Sequence, residues 1–136
     1  MQTGQELLAL RNAASSKVRD ILQTTRGDAE AQLMIDGNGT RCAEYLSSVQ
    51  DAIIKALYAL ACKAVGLQNA DTALSIIAVG GYGRATLAPG SDIDLLFLVP
   101  DSKSVEVDKV VEFLLYALWD ARQKVGHATR TIDDCI

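Results

Sequence analysis

Two short apolar runs, each closed by glycine or proline, limit the folds that this chain can adopt. LSIIAV at residues 74–79 ends at Gly80-Gly81, and IDLLFLV at residues 93–99 ends at Pro100. Apolar, β-branched runs of this length with such boundaries are typical of strands buried in a sheet. VGHATRT, which follows later in the chain, predicts a third short strand.

Helical patterns surround these strands. Apolar residues recur every three or four positions over residues 4–25, 41–64 and 104–124, which predicts three amphipathic helices. We expect the first helix to end where TTRGDAEAQLMIDGNGT interrupts the pattern, because that stretch closes with turn-forming Asp, Gly and Asn. On the third helix, we expect Tyr116 and Trp119 to lie in the core.

This order of elements predicts an α+β (mixed α/β) fold, in which two N-terminal helices precede the first part of a sheet-and-helix core. We place residues 1–66 in a helical region and residues 67–136 in a second domain. TIDD at residues 131–134 has the spacing of a helix capping box, and the sequence stops two residues later. We therefore expect the second domain to be truncated, that is, incomplete at its C-terminus.

Composition restricts the class of function. The chain has 136 residues, 49% of them hydrophobic, and a net charge of −4, which argues against a basic surface for nucleic acid. Neither a membrane span nor a secretory signal is recognisable, so we expect a cytoplasmic protein without a membrane or nucleic-acid partner. The spacing of Cys42, Cys62 and Cys135 suits neither a disulfide framework nor a zinc site, and free thiols are expected.

Asp92 and Asp94 open the second predicted strand with one residue between them. Alternate side chains of a strand share a face, so the two carboxylates should stand side by side while Ile93 and Leu95 enter the core. Adjacent like charges repel, and a bound cation resolves the repulsion. Oxygen ligands of this kind suit Mg²⁺, or Mn²⁺, together with substrate phosphates. Taken alone, the spacing is a weak signal, because such pairs more often mark a solvated strand start.

GGYGR at residues 80–84 follows the first predicted strand directly. The missing side chains of Gly80 and Gly81 would let backbone N–H groups approach an anion, and Arg84 can offer a forked donor to phosphate. The stretch fits neither the Walker A loop nor the dinucleotide-binding fingerprint. By itself it is also compatible with a plain tight turn.

Ser91 precedes the two aspartates and can either hydrogen-bond a phosphate or cap the turn. If the two strands are neighbours, the glycine-rich turn faces the carboxylates of Asp92 and Asp94. Such an arrangement suits metal-assisted nucleotidyl transfer, in which the protein contributes positioning and electrostatic stabilisation.

One part of the chain resembles the signature of the DNA polymerase β-like nucleotidyltransferase superfamily. It consists of Val79-Gly80-Gly81, ten further residues and then Asp92-Ile93-Asp94. The longer strings GGYGRATLAPGSDIDLLFLVP and KVGHATRTIDDCI resemble the bacterial PII uridylyltransferase/uridylyl-removing enzyme family. The resemblance is close over residues 74–136 and loose over the N-terminal helices.

This resemblance implies a Mg²⁺-dependent enzyme of nitrogen regulation that transfers UMP from UTP to a tyrosine of the PII signalling protein. It implies that Gly80 and Gly81 hold the nucleotide phosphates and that Asp92 and Asp94 are the catalytic metal ligands. In the family, UMP removal resides in a later HD domain and glutamine sensing in ACT domains. A glutamine effector is therefore expected only for the full-length protein.

Two features depart from the family pattern. Ala85 stands where members usually have glycine, and the superfamily's third carboxylate lies on a later strand, which we expect beyond Ile136. The late acids Asp120, Asp133 and Asp134 do not fit that role, since the first lies on a helix and the others in a helix cap. We therefore expect the 136-residue chain alone to bind UTP at most weakly and to transfer no UMP.

Two other functions stay open from the sequence. One is a non-catalytic nucleotide-binding module, and the other is a different superfamily member such as the adenylyltransferase of glutamine synthetase. His127 is either a structural strand residue or a nucleotide contact. Lys124 and Arg130 are expected to be solvated charges, with phosphate binding as the alternative. The residues indicate neither which nucleotide base the protein prefers nor its oligomeric state.

Overall fold

The computed structural model describes residues 4–67, 74–79, 93–99 and 105–131. Its elements, in chain order, are α1 (Gly4–Asp36), α2 (Gly39–Val65), β1 (Ser75–Val79), β2 (Ile93–Val99), α3 (Val105–Asp120) and β3 (Val125–Thr131). This order and the resulting α+β fold confirm the prediction. The division into two domains at residue 67 stays a prediction.

The three strands form one mixed sheet in the order β1-β2-β3. Strands β1 and β2 pair antiparallel with Val79 opposite Asp94, while β2 and β3 pair parallel with Asp94 opposite Gly126. Helix α3 supplies the crossover that the parallel connection requires. The end of β1 and the beginnings of β2 and β3 therefore meet at one end of the sheet.

One face of the sheet packs against the helices. Along β2, Ile93 and Leu95 are 2% exposed and Phe97 is fully buried, as the predicted alternation requires. These side chains share a core with apolar residues of the helices, including Val18, Leu57, Ala61, Val110, Leu114 and Leu118. Full burial of a side chain of this size contributes about 1.5–3 kcal/mol, so the core holds β2 firmly in place.

Helix α1 is longer than predicted. It continues without interruption through residues 26–36, so the break expected after residue 25 is wrong. The buried side chains of Thr25 and Ala29 extend the packed face across the supposed break. A single Gly27 costs a helix only about 1 kcal/mol relative to alanine, and the alanine, glutamate, glutamine and leucine residues that follow favour helix.

The turn between α1 and α2 begins at Gly37, whose φ of +62° lies in the left-handed region that favours glycine. Its N–H donates to the Leu33 carbonyl at 2.7 Å, and the Asn38 side chain caps α2 by accepting from the Arg41 N–H at 3.0 Å. Asp36 accepts from the Asn38 N–H at 2.8 Å and pairs with Arg41 at 3.1 Å. The Asn38 N–H is the largest cause of a lowered Asp36 pKa.

Tyr116 and Trp119 lie on the flank of α3, so the prediction that they belong to the core is wrong. Tyr116 is 42% exposed and Trp119 37%. The core face of the helix runs through Leu114 and Leu118, and the helical period places the two aromatic residues beside it. The Trp119 indole donates to the Val125 carbonyl at 3.2 Å, and its ring packs edge-on to Tyr116. Trp119 thereby joins α3 to the start of β3.

A reciprocal amide pair connects α2 to the loop before β3. Gln50 Nε2 donates to Gln123 Oε1 at 3.1 Å, and Gln123 Nε2 donates to Gln50 Oε1 at 2.8 Å. Gln50 is only 2% exposed, and a buried amide of this kind is stable only when it is hydrogen-bonded. The pair therefore ties the N-terminal helices to the end of the sheet where β3 begins.

Two smaller observations concern the thiols and the membrane. Cys42 is a buried free thiol, as expected, and Cys135 lies outside the described residues. Among the helices of the described ranges, none is both long and apolar enough to cross a membrane.

Candidate functional site

Asp94 projects from the sheet face that lies opposite the helices. Its neighbours Ile93 and Leu95 are buried, whereas Asp94 is exposed, because successive residues of a strand point to opposite faces. The apolar neighbours thus anchor the strand on one side while the carboxylate is presented on the other. The predicted orientation of Asp94 is confirmed.

The last residue of β1 lies beside this carboxylate. Val79 is the antiparallel partner of Asp94, and it is followed in the sequence by Gly80. The GGYGR stretch is therefore covalently joined to the residue that pairs with Asp94. This confirms that the two predicted strands are neighbours, as the hypothesis of a combined phosphate and metal site requires.

Five of the predicted site residues lie outside the described residues: Gly80, Gly81, Arg84, Ser91 and Asp92. Their proposed contacts with phosphate or metal stay predictions. Within the described ranges, no three His, Cys, Asp or Glu side chains come together as a complete metal-binding group.

Strand β3 passes Asp94 at Gly126. An ideal Cβ built on Gly126 would lie 2.7 Å from Asp94 Oδ1 and 3.9 Å from Asp94 Cγ. The carboxylate of Asp94 therefore occupies space that any side chain at position 126 would fill. The sequence interpretation missed Gly126, although a glycine inside a strand is a recognised sign of close approach by another group.

The surroundings of Asp94 fit an oxygen-ligated divalent cation. Mg²⁺ prefers carboxylate oxygens and retains several water or phosphate ligands, so it needs an accessible carboxylate rather than an enclosed protein cage. Asp94 is exposed and extends over a residue without a side chain, which meets that requirement. The structure thus describes one carboxylate of the predicted pair, and the metal site itself stays a prediction.

His127 lies on the other face of β3 from Gly126. Its ring is 5.8 Å from the Trp119 ring and 6.5 Å from the Phe97 ring, measured between centroids. Contacts with these two aromatic residues favour the structural interpretation of His127 over a nucleotide contact at the Asp94 side of the sheet.

Lys124 and Arg130 are both exposed, in agreement with the expectation of solvated charges. The Lys124 carbonyl accepts from the Ile93 N–H at 2.9 Å, which fixes the beginning of the β2–β3 pairing. Arg130 Nη1 donates to the Thr129 carbonyl at 2.9 Å.

Asp120 belongs to a contact between helices. Its carboxylate lies 3.8 Å from Arg11 Nε of α1, which agrees with its exclusion as a catalytic acid. Asp133 and Asp134 lie outside the described residues.

Comparison with known proteins decides the family. The Nucleotidyltransferase domain family matches residues 67–134. A bifunctional uridylyltransferase/uridylyl-removing enzyme from Rhodopseudomonas palustris is 46% identical over 133 residues, or 94% of the chain. The chain belongs to the nucleotidyltransferase domain family. It spans 14% of the length of the Rhodopseudomonas palustris relative. No solved structure matches the chain.

In this member of the nucleotidyltransferase domain family, the matched residues 67–134 include all three described strands and α3. Asp94 and Gly126 both lie within that match. The family assignment and the exposed carboxylate therefore concern the same part of the chain.

Proposed function

We propose that this protein is a cytoplasmic enzyme that transfers UMP from UTP to the hydroxyl of a tyrosine of the PII nitrogen-regulatory protein, with pyrophosphate as the leaving group. The observation that carries the proposal is the exposed Asp94 carboxylate beside the end of β1, within residues matched to a nucleotidyltransferase domain. The similar protein from Rhodopseudomonas palustris is named a uridylyltransferase, which supports UMP as the transferred group. The PII target rests on the resemblance of the GGYGR and aspartate motifs.

Asp92 and Asp94 are proposed to bind Mg²⁺ in this site, with Mn²⁺ as an alternative. When bound, Mg²⁺ would neutralise charge on the triphosphate and help to orient it for in-line displacement. Ile93 and Leu95 keep β2 seated in the core, so the Asp94 carboxylate is held at the sheet end before the nucleotide arrives. Such preorganisation lowers the entropic cost of aligning the reacting groups.

The glycine-rich stretch is proposed to hold the nucleotide phosphates. Backbone N–H groups at Gly80 and Gly81 would contact phosphate oxygens, while Arg84 and Ser91 would add side-chain donors. The support for these roles is that Val79, the preceding residue, pairs with Asp94. UTP would then contact both the glycine-rich stretch and the metal bound by the aspartates.

The direct test is transfer of labelled UMP to purified PII by the full-length protein, with UTP and Mg²⁺. We expect labelling of PII from UTP but not from ATP, and at least about 100-fold slower labelling after the double substitution Asp92→Asn and Asp94→Asn. Addition of glutamine should reduce the net labelling. Nucleotide binding without transfer would instead indicate a non-catalytic module, and AMP transfer to glutamine synthetase would indicate the related adenylyltransferase. Either result would overturn the proposal.

A further inference from the structure

Gly126 is the residue of β3 directly opposite Asp94 in the parallel ladder. A Cβ at this position would lie 2.7 Å from Asp94 Oδ1, which is closer than real Cβ atoms come to their neighbours. The observed direction of the Asp94 carboxylate is therefore compatible only with glycine at position 126.

Backbone conformation does not explain this glycine. Among the described glycines, Gly37 and Gly66 have a positive φ, but Gly126 does not, so an L-residue could adopt its backbone angles. Strand stability does not explain it either, because glycine weakens a strand by offering no side chain for packing. What remains is the space that glycine leaves for the neighbouring carboxylate.

We propose that Gly126 is a positioning residue for the metal-binding carboxylate of Asp94. Its missing side chain leaves room for the carboxylate to extend over β3, in the direction that the described geometry shows. The inference rests on the proposed function, because it assigns Gly126 to the same metal–nucleotide site.

An added methyl group at position 126 would move the carboxylate rather than the strand. The atom that it would meet is the end of a short, exposed side chain, whereas Ile93 and Leu95 hold the backbone of β2 in the core. Asp94 can therefore rotate away without disturbing the fold. Metal ligation tolerates only small errors in distance, and loss of a group that orients a ligand typically weakens metal affinity about 10–100-fold.

The test is Mn²⁺ binding to the full-length protein, followed by electron paramagnetic resonance in the presence of UTP. We expect Gly126→Ala to weaken Mn²⁺ binding about 10–100-fold, while the melting temperature of the metal-free protein stays unchanged or rises. Gly27→Ala is the matched control, since it adds the same methyl group on α1 where nothing lies within 4 Å. It should leave Mn²⁺ affinity unchanged.

Asp94→Asn separates failure of this inference from failure of the proposed function. If Asp94→Asn loses Mn²⁺ binding while Gly126→Ala binds like the wild type, the role of Gly126 is overturned and the metal site stands. If Asp94→Asn binds Mn²⁺ normally, the proposed metal site falls and the role of Gly126 with it. A Gly126→Ala protein that is unfolded or has a lowered melting temperature without metal would show that glycine is needed for the fold, and would also overturn the inference.

Discussion

Val79 and Asp94 are direct partners in the antiparallel pairing of β1 and β2, so the last residue of one strand stands beside the first acid of the next. This relationship joins two motifs, at residues 80–84 and 92–94, that are separated in the sequence. It places Val79, which precedes the glycine-rich stretch in the sequence, and an exposed carboxylate at the same end of one sheet. The proposed site follows from this pairing rather than from either motif alone.

Asp94 should contribute little to the stability of the metal-free fold. Its side chain is exposed, so Asp94→Asn should change the free energy of unfolding by no more than about 0.5 kcal/mol. Urea denaturation of the metal-free protein measures this change, with the exposed Asp20 of α1 as the control for a substitution to Asn. A loss of several kcal/mol in Asp94→Asn alone would mean that the carboxylate has a structural role.

In contrast to Asp94, the side chains on the core side of β2 should contribute strongly to the free energy of unfolding. Leu95→Ala removes a side chain that is 2% exposed and should cost about 2–5 kcal/mol of unfolding free energy, through lost burial and the cavity that remains. Leu8→Ala is the matched control, because Leu8 on α1 is 47% exposed and should cost less than about 1 kcal/mol. Equal losses in the two variants would contradict the packing described for β2.

The reciprocal pair of Gln50 and Gln123 should be energetically coupled. Gln50→Ala leaves the half-buried Gln123 amide without its partner, which should cost about 1–3 kcal/mol. Replacing both residues with leucine should cost less than Gln50→Ala does. A double-mutant cycle with alanine should give a coupling energy of at least about 0.5 kcal/mol, whereas strictly additive effects would show that the pair is not formed in solution.

The pKa of Asp36 should lie below its ordinary value of 3.8, chiefly because Asn38 N–H donates to the carboxylate. A lowered pKa in the folded state stabilises the fold above the unfolded pKa. That contribution disappears as the pH falls through the folded pKa. A nuclear magnetic resonance titration of the Asp36 carboxyl measures the value directly. A folded pKa above 3.8 would contradict the described turn.

Alternation along β2 was enough to predict which residues enter the core and that Asp94 faces away from it. The contact between Asp94 and Gly126 was not predictable in the same way, because it depends on the register of two strands separated by α3. Nothing local to either residue specifies that register. The apolar pattern specifies which face of each strand is buried, but not which residue of β3 stands opposite a given residue of β2.

Two local predictions failed for a related reason. The helix was expected to stop before Gly27, yet packing of Thr25 and Ala29 carries α1 to Asp36. Trp119 was expected in the core as part of the apolar pattern of the helix, yet its indole donates to the Val125 carbonyl at the flank of α3. In both cases tertiary contacts outweighed the preference that the residue type suggests.

The most direct test of the account is Mg²⁺-dependent binding of UTP to the full-length protein, measured by calorimetry. We predict that wild type and Asp20→Asn bind UTP with Mg²⁺ and far more weakly without it, and that Asp94→Asn loses the Mg²⁺-dependent binding. Binding by Asp94→Asn with the same affinity and the same dependence on Mg²⁺ as the wild type would contradict the central claim that Asp94 is a metal ligand of the nucleotide site.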